Sequence, residues 1–299
     1  MQIDDRFIHR LVIAATIIYA MSVIVFCLVY RVFPGQEFII IFVSLYAISR
    51  KWSRRFVSDW VPFIVLFVGY ESMYGFADNI LGVVHVNELI NLETRLFGAI
   101  PTLVLQQYYR NIILDYICTF LYSLHFVLPV LFGFLLWRYS PKNFRNFTAA
   151  FLICSYGALI TFLLFPSAPP WYGVNAVRIY DQTILSLGSS KAQTIFDYAD
   201  ANKFAAFPSL HSAYPWLIFL YAAKIKGTKA LPILILPVSI WFSTVYLGEH
   251  YFVDVIGGII YSTCSFLIIE KLVARLHFSF PLSRARLTDA SSAQPYEPT

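Results

Sequence analysis

Long apolar runs alternate with short polar segments along most of the chain. A helix of about 20 apolar residues is long enough to cross roughly 30 Å of hydrocarbon. Runs that approach this length occur at residues 11–32, 38–48, 57–76, 112–137, 147–165, 207–223, 230–247 and 251–273. The pattern predicts an all-α fold, a polytopic bundle of about 6–8 transmembrane helices.

The polar segments divide the chain into three parts. Residues 1–80 are predicted to form N-terminal transmembrane helices, and residues 81–276 a catalytic transmembrane domain. Within that domain, the mixed segment 87–110 predicts an amphipathic helix at the membrane interface, and residues 167–206 predict an outer loop that could act as a lid. Residues 277–299 predict a disordered cytoplasmic tail, because their end is rich in Ser, Ala and Pro.

The composition supports a membrane protein and argues against other classes. Hydrophobic residues make up 59% of the chain and charged residues only 13%, whereas a soluble domain has about 25% charged residues. A soluble enzyme and a disordered chain are therefore excluded. The four cysteines lie in apolar runs, which argues against a disulfide framework and against zinc fingers. No metal-ligand or nucleotide-binding motif occurs, so we expect no metal, no cofactor and no nucleic-acid partner.

The basic residues predict the orientation of the chain. Most of the 22 Lys and Arg residues fall in segments that the alternation of spans places on one side of the membrane. The positive-inside rule makes this side cytoplasmic. Both termini are then cytoplasmic, and the segments around residues 209 and 250 are extracytoplasmic or lumenal.

Two histidines and an aspartate occur at the ends of apolar runs on that outer side. His211 begins one run, and His250 and Asp254 stand where a later run begins. On a helix, residues four apart share a face, so Asp254 can accept a hydrogen bond from His250 and fix its tautomer. His250 would then be a nucleophile toward phosphorus, and His211 could protonate the leaving oxygen. Each histidine could alternatively be a packing residue, and the His250–Asp254 pair a purely structural hydrogen bond.

The segments around these residues resemble a known family. The segment PSLH at residues 208–211, and His250 followed by Asp254, resemble two signature motifs of the type-2 phosphatidic acid phosphatase superfamily. The family's first motif is not found, and Thr244 stands at the position of the arginine of its third motif. The segments STVYL (243–247), PPWY (169–172) and LHF (124–126) are similar to the branch of fungal inositol phosphorylceramide synthases.

The resemblance implies a fold, a reaction and partners. It implies a lipid phosphatase-like catalytic core and an integral membrane phosphotransferase. Such an enzyme would move an inositol phosphate-like headgroup from a phospholipid donor to a lipid alcohol. His250 would carry the phosphoryl group as phosphohistidine, Asp254 would orient it, and His211 would serve as acid and base. The chain gives no indication of a protein partner.

Further residues are candidates for binding the substrate. Arg178, Lys191 and Lys203 are the nearest basic residues that could replace the missing signature Lys and Arg. Ser209 belongs to the PSLH segment, and the remaining candidates are Tyr246, four residues before His250, Trp171 in the outer loop, and His125 inside a span. His125 either bonds a neighbouring helix or reaches the substrate cavity.

Two other functions compete with this interpretation. A phosphatase acting on lipid phosphate or polyprenyl pyrophosphate would use the same residues with water as acceptor. A proton-coupled transporter would use His125, His211, His250 and Asp254 as a proton path. The transporter hypothesis predicts internal repeats, and none is visible in the sequence.

Overall fold

The computed structural model describes residues 4–30, 36–74, 83–186 and 203–279, and these residues form a helical bundle. Lys191 and the predicted disordered tail beyond residue 279 lie outside the described residues. Within the described ranges no strand occurs, and His85, Ser167 and Ala205 form only isolated parallel bridges. The predicted all-α class is therefore confirmed.

The helices are numbered here in chain order. They are α1 (Asp5–Tyr30), α2 (Gln36–Ser49), α3 (Ser53–Tyr74), α4 (Asn87–Phe97), α5 (Pro101–Tyr109), α6 (Ile112–Tyr139), α7 (Pro141–Leu164), α8 (Pro170–Gly173), α9 (Ile179–Ser186), α10 (Leu210–Lys226), a 3₁₀ helix (Gly227–Leu234), α11 (Ile235–Tyr246) and α12 (Phe252–Ser279).

Several helices are long and apolar enough to cross a membrane. Within the described residues, four stretches meet this criterion: Asp5–Val25, Pro141–Leu164, Leu210–Tyr246 and Phe252–Arg275. A fifth is α6, whose halves Ile112–His125 and Val127–Tyr139 meet at 47°. Pro129 lies within α6, and proline bends a helix because it removes a backbone hydrogen bond. The chain is thus a multi-pass membrane protein.

Two of the apolar runs at the N-terminal end do not meet the criterion. Helix α2 has only 14 residues, roughly 21 Å at the usual helical rise. Helix α3 has the length but carries the charged residues Arg54, Arg55, Asp59 and Glu71. The predicted count of 6–8 spans therefore agrees only roughly with the structure.

The stretch Leu210–Tyr246 is a helical hairpin. The indole Nε1 of Trp241 on α11 donates to the carbonyl oxygen of Ser212 on α10 at 3.1 Å. The rings of Trp216 and Trp241 lie 5.5 Å apart. Helix α11 therefore runs back beside α10 after the 3₁₀ turn, and both outer ends of the hairpin reach the same end of the bundle.

The segment predicted as one interfacial helix is two helices. Helix α4 ends at Gly98, whose φ of 71° is the left-handed conformation that glycine adopts readily at a helix C-terminus. Pro101 then occupies the first turn of α5, where its missing N–H costs nothing. Gly98 and Pro101 stand three residues apart and interrupt the helix between them. The prediction of a single helix over residues 87–110 was therefore wrong.

A close contact fixes α10 against α12. The backbone N–H of Ser209 donates to the carbonyl oxygen of Asp254 at 3.0 Å. A Cβ on Gly258 would lie 2.2 Å from the carbonyl oxygen of Ser209, so only glycine allows this approach. Because His211 follows Ser209 and Asp254 belongs to the first turn of α12, this contact brings the two motifs together.

Candidate active site

Ser209 organises the start of α10. Its hydroxyl oxygen accepts hydrogen bonds from the backbone N–H of Ser212 at 3.3 Å and from the Ser212 hydroxyl at 3.2 Å. A serine in this position satisfies a helix N–H that would otherwise lack a partner. Ser209 is fully buried. The side chain thus fixes the first turn of α10, on which His211 stands.

His250 is held by a backbone carbonyl. The residue is 6% exposed, and its Nδ1 lies 3.0 Å from the carbonyl oxygen of Ala206. Because a carbonyl oxygen only accepts, Nδ1 carries the proton and donates it. In the neutral ring, Nε2 then carries the lone pair that a nucleophile needs.

Asp254 lies close to the same nitrogen but bonds elsewhere. Its Oδ2 is 3.6 Å from Nδ1 of His250, within ion-pair range but longer than a hydrogen bond. The same oxygen accepts from the backbone N–H of Tyr251 at 2.8 Å. His250 precedes the first residue of α12, so the predicted helical i, i+4 geometry does not apply. Asp254 caps its helix and faces His250 at the same time.

The two histidines face each other. Nε2 of His250 and Nδ1 of His211 are 3.3 Å apart, and the ring centroids are 5.4 Å apart at 52°. With Nδ1 of His250 already donating, Nε2 accepts and His211 Nδ1 donates. A phosphorus atom and its oxygens do not fit between nitrogens this close, since reacting atoms alone need about 3 Å on each side. A bound phosphate would have to replace this hydrogen bond.

Aromatic rings hold His211 in place. The Tyr122 ring stacks on one side of it, with centroids 4.0 Å apart at 14°. The ring of His125 lies 4.0 Å away at 32° and itself stacks on Tyr214 at 4.9 Å. His125 is thus part of the packing around His211, and it also hydrogen-bonds the backbone of Leu210 on the neighbouring helix α10. Its role as a substrate ligand stays a prediction.

The outer segment binds to the turn before His250. The guanidinium of Arg178 donates to Glu249 from Nε at 2.9 Å and from Nη2 at 3.3 Å. Its Nη1 lies 3.2 Å from Asp181, and the group sits 4.7 Å above the Trp171 ring. The backbone N–H of Trp171 donates to the carbonyl of Gly248 at 3.2 Å. Two carboxylates already surround Arg178, so a phosphate would compete with them.

Tyr246 and Lys203 occupy different surroundings from His250. The Tyr246 hydroxyl donates to Asp115 at 2.5 Å and accepts from the backbone N–H of Asn111 at 3.4 Å. The buried Tyr246 ring packs in a cluster with Cys118 and Ile179. Lys203 is exposed at the end of the outer segment. Their placement as substrate ligands stays a prediction.

Gln106, which was not predicted from the sequence, joins three elements near the site. Its Nε2 donates to the carbonyls of Val177 at 2.8 Å and Tyr246 at 3.0 Å, and its Oε1 accepts from the Val177 N–H at 2.8 Å. Gly248 has a φ of +84° and approaches Val177 closely. A single glutamine on a short helix gives no sequence signal for such a role.

Glu93 was missed as well. This buried side chain on α4 accepts hydrogen bonds from the backbone N–H groups of Phe252 and of Val253, the latter at 3.2 Å. Its Oε2 has no hydrogen-bond partner among the described residues. Burial raises the pKa of Glu93 to about 7, against the effect of the two N–H donors. The available signal was its spacing of four from Leu89, which put a carboxylate on the apolar face of α4.

Changing Glu93 to Gln should remove a pH dependence of stability. In the folded protein the Glu93 carboxyl keeps its proton up to about pH 7, whereas in an unfolded chain it loses the proton near the ordinary glutamate pKa of 4.5. The free energy of unfolding should therefore fall as the pH rises from about 4.5 to 7, by at most about 3 kcal/mol. Thermal unfolding in detergent at pH 5 and pH 8 measures this. E93Q should lose less stability than wild type over the interval, and equal losses would contradict the assignment.

Comparison with known proteins gives one family. The family model described as PAP2 superfamily matches residues 87–268, more than half of the chain. The phosphoinositol dihydroceramide synthase of Bacteroides thetaiotaomicron is 27% identical over 237 residues, which cover 73% of this chain and 78% of that protein.

Two fungal proteins are also similar. The inositol phosphorylceramide synthase catalytic subunit aur1 of Schizosaccharomyces pombe is 27% identical over 204 residues, covering 62% of this chain and 47% of that protein. The inositol phosphorylceramide synthase of Candida albicans is 24% identical over 282 residues, covering 86% and 58%. No solved structure matches the chain.

These findings confirm the resemblance seen in the motifs. The matched range 87–268 contains His211, His250 and Asp254. The family and its relatives support an enzyme that transfers or hydrolyses lipid phosphate. The chain belongs to the PAP2 superfamily.

Proposed function

We propose that the chain transfers an inositol phosphate-like headgroup from a phospholipid to a lipid alcohol, with His250 carrying the phosphoryl group. The observation that carries this proposal is the contact between the two histidines, in which Nε2 of His250 faces Nδ1 of His211 at 3.3 Å. The hydrogen bond from Nδ1 of His250 to the Ala206 carbonyl leaves Nε2 as the nucleophilic nitrogen. The names of the relatives specify phosphoinositol dihydroceramide and inositol phosphorylceramide. They support an inositol phospholipid as donor and a ceramide-type hydroxyl as acceptor.

In the first half of the reaction, Nε2 of His250 attacks the phosphorus of the donor. A P–N bond forms, and the bond from phosphorus to the diacylglycerol oxygen breaks. His211 enters as imidazolium and gives a proton to that oxygen, so diacylglycerol leaves as a neutral alcohol. The Ala206 carbonyl and the Asp254 carboxylate stabilise the positive charge that develops on the His250 ring.

In the second half, the neutral His211 takes the proton of the acceptor hydroxyl. The acceptor oxygen attacks the phosphorus, the P–N bond breaks, and His250 returns to its neutral form. With water in place of the lipid alcohol the same steps give hydrolysis. The relatives' names favour the lipid acceptor.

The negative charge of the phosphate has to be balanced. We propose that the N-terminus of α10, capped by Ser209, contributes backbone N–H groups and the positive end of its dipole. Arg178 and Lys203 would supply charge at the outer rim, and Trp171 would contact the headgroup. His125 would hold the His211 ring in place by stacking on it. Tyr246 would fix the turn that leads to His250 through its hydrogen bond to Asp115.

A lipid-product assay tests the reaction. The purified protein receives phosphatidylinositol with or without ceramide, and lipids are separated and identified by mass spectrometry. We expect inositol phosphorylceramide, and more than one equivalent of diacylglycerol per protein, only when both substrates are present, because the first half-reaction stops after one equivalent without an acceptor. Release of inositol phosphate with no new lipid would contradict the transferase and favour hydrolysis.

We also propose that the site faces away from the cytoplasm and that both termini are cytoplasmic. Lys203 lies three residues before Ala206, whose carbonyl binds His250, and Lys226 ends α10 on the side away from His211; both are exposed. In intact cells, K203C should react with a membrane-impermeant maleimide, whereas K226C should react only after lysis. Wild type corrects for the native cysteines. The opposite labelling pattern would reverse the orientation.

A further inference from the structure

Three guanidinium groups surround one indole ring outside the proposed active site. The carbon Cζ lies 5.8 Å from the Trp52 centroid in Arg50, 4.8 Å in Arg55 and 5.5 Å in Arg138. We call these four residues the Trp52 cluster. An indole attracts cations through its π face, but three of them around one ring repel each other.

The cluster lies where the turn between α2 and α3 meets α6, at the end of the bundle opposite the proposed active site. Trp52 lies in the turn between α2 and α3, and its ring contacts that of Trp137 on α6 at 5.8 Å. Arg138 follows Trp137 and lies roughly 20 Å further along α6 than His125, at the usual helical rise. The Trp52 backbone N–H donates to the carbonyl of Ala47 at 2.7 Å, which fixes the turn.

The charge of the cluster is only partly balanced. Arg55 lies 3.6 Å from Asp59, but Asp59 is shared with Arg145, also at 3.6 Å. Within the described part of the chain, no carboxylate forms an ion pair with Arg50 or Arg138. Arg50 is exposed and Arg138 is partly exposed. The Trp52 cluster therefore carries a net positive charge that is accessible to an anion that is not part of the chain.

Apolar surface adjoins the same two helices. Phe42 and Leu45 on α2 are 54% and 53% exposed, and Leu131 and Leu135 on α6 are 42% and 44% exposed. Phe42 also contacts Phe134 on α6, with centroids 5.3 Å apart. An anion that binds at the cluster therefore lies next to exposed apolar side chains of α2 and α6. A lipid can cover these side chains with its acyl chains, whereas a soluble anion cannot.

We infer that the Trp52 cluster binds the headgroup of an anionic phospholipid, with the acyl chains lying along α2 and α6. Guanidinium groups bind phosphate oxygens through paired hydrogen bonds. Tryptophan is enriched at the level of lipid headgroups, and basic pockets between membrane helices bind anionic lipids. This site is separate from the proposed active site, and its ligand is bound without being consumed.

Lipid binding to the purified full chain tests the inference. Native mass spectrometry in a neutral detergent compares phosphatidylglycerol with phosphatidylcholine, and wild type with R50Q/R138Q. The matched control K226Q/K229Q removes the same charge at the same end of the bundle from exposed lysines. We expect wild type and the control to retain phosphatidylglycerol, and R50Q/R138Q to bind it at least about tenfold more weakly.

Specific results would overturn the inference. These are equal binding of phosphatidylglycerol by R50Q/R138Q and wild type, an equal loss in the lysine control, or equal binding of phosphatidylcholine by wild type. Displacement of the lipid by millimolar inorganic phosphate would also overturn it, because the site would then recognise free phosphate. R50Q alone changes an exposed side chain and should show an intermediate loss, which keeps the test valid if the double variant does not fold.

Discussion

Replacing His250 with Ala should lower formation of the lipid product by roughly 10⁴-fold or more, as expected when a covalent nucleophile is lost. The Nε2 atom that would form the P–N bond is gone, and with it the ring that the Ala206 carbonyl holds on one side and His211 faces on the other. Product formation from phosphatidylinositol and ceramide, followed by mass spectrometry, measures the loss.

The matched control is H9A. His9 bonds to the hydroxyl of Ser53 at 2.7 Å, on α1 and α3. It should keep the activity of wild type within a few fold, and both variants should elute and melt like the wild-type protein. If H250A were folded and retained activity like that of H9A, the nucleophile assignment would be wrong.

The second large effect is expected at His211. Asparagine in its place keeps a polar side chain but cannot exchange a proton, so H211N should lose about 10²–10⁴-fold in rate. The loss should depend on the leaving group. With a phosphodiester donor whose leaving alcohol is a nitrophenol, the first step needs no acid, and formation of the phosphoenzyme should be nearly restored.

A different pattern would contradict this role. If H211N lost the same factor with the natural and the activated donor, His211 would act in binding or packing instead of proton transfer. H125N serves as the comparison, because His125 also stacks on His211 but would not exchange a proton with the substrate. Its loss should be the same with both donors.

The sequence predicted the approach of the two histidines for a physical reason. Ionisable residues within membrane spans are costly and therefore mark candidate sites, and the hairpin connection returns the chain to the side of the membrane from which it started. The contact of the two rings follows from two further features, the Ser209–Asp254 backbone hydrogen bond and the glycine at position 258. Neither feature could be read as a contact without coordinates.

The partner of His250 was not predictable in the same way. A backbone carbonyl such as that of Ala206 has no sequence signature, and Glu93 reaches α12 from a helix more than 150 residues earlier in the chain. Helical spacing placed Tyr246 on the face of His250, but α11 ends at Tyr246 and the chain turns at Gly248 with a φ of +84°. Spacing rules hold only within one helix, so the side chains on either side of this turn face different surroundings.

The central claim, that His250 carries the phosphoryl group, is tested most directly by trapping it. H211N is mixed with the nitrophenyl donor, quenched in base to preserve phosphohistidine, digested and analysed by mass spectrometry. We expect the phospho-headgroup on the peptide that contains His250, and none in H211N/H250A. Turnover of the donor with an unmodified His250, or the group on another residue, would contradict it.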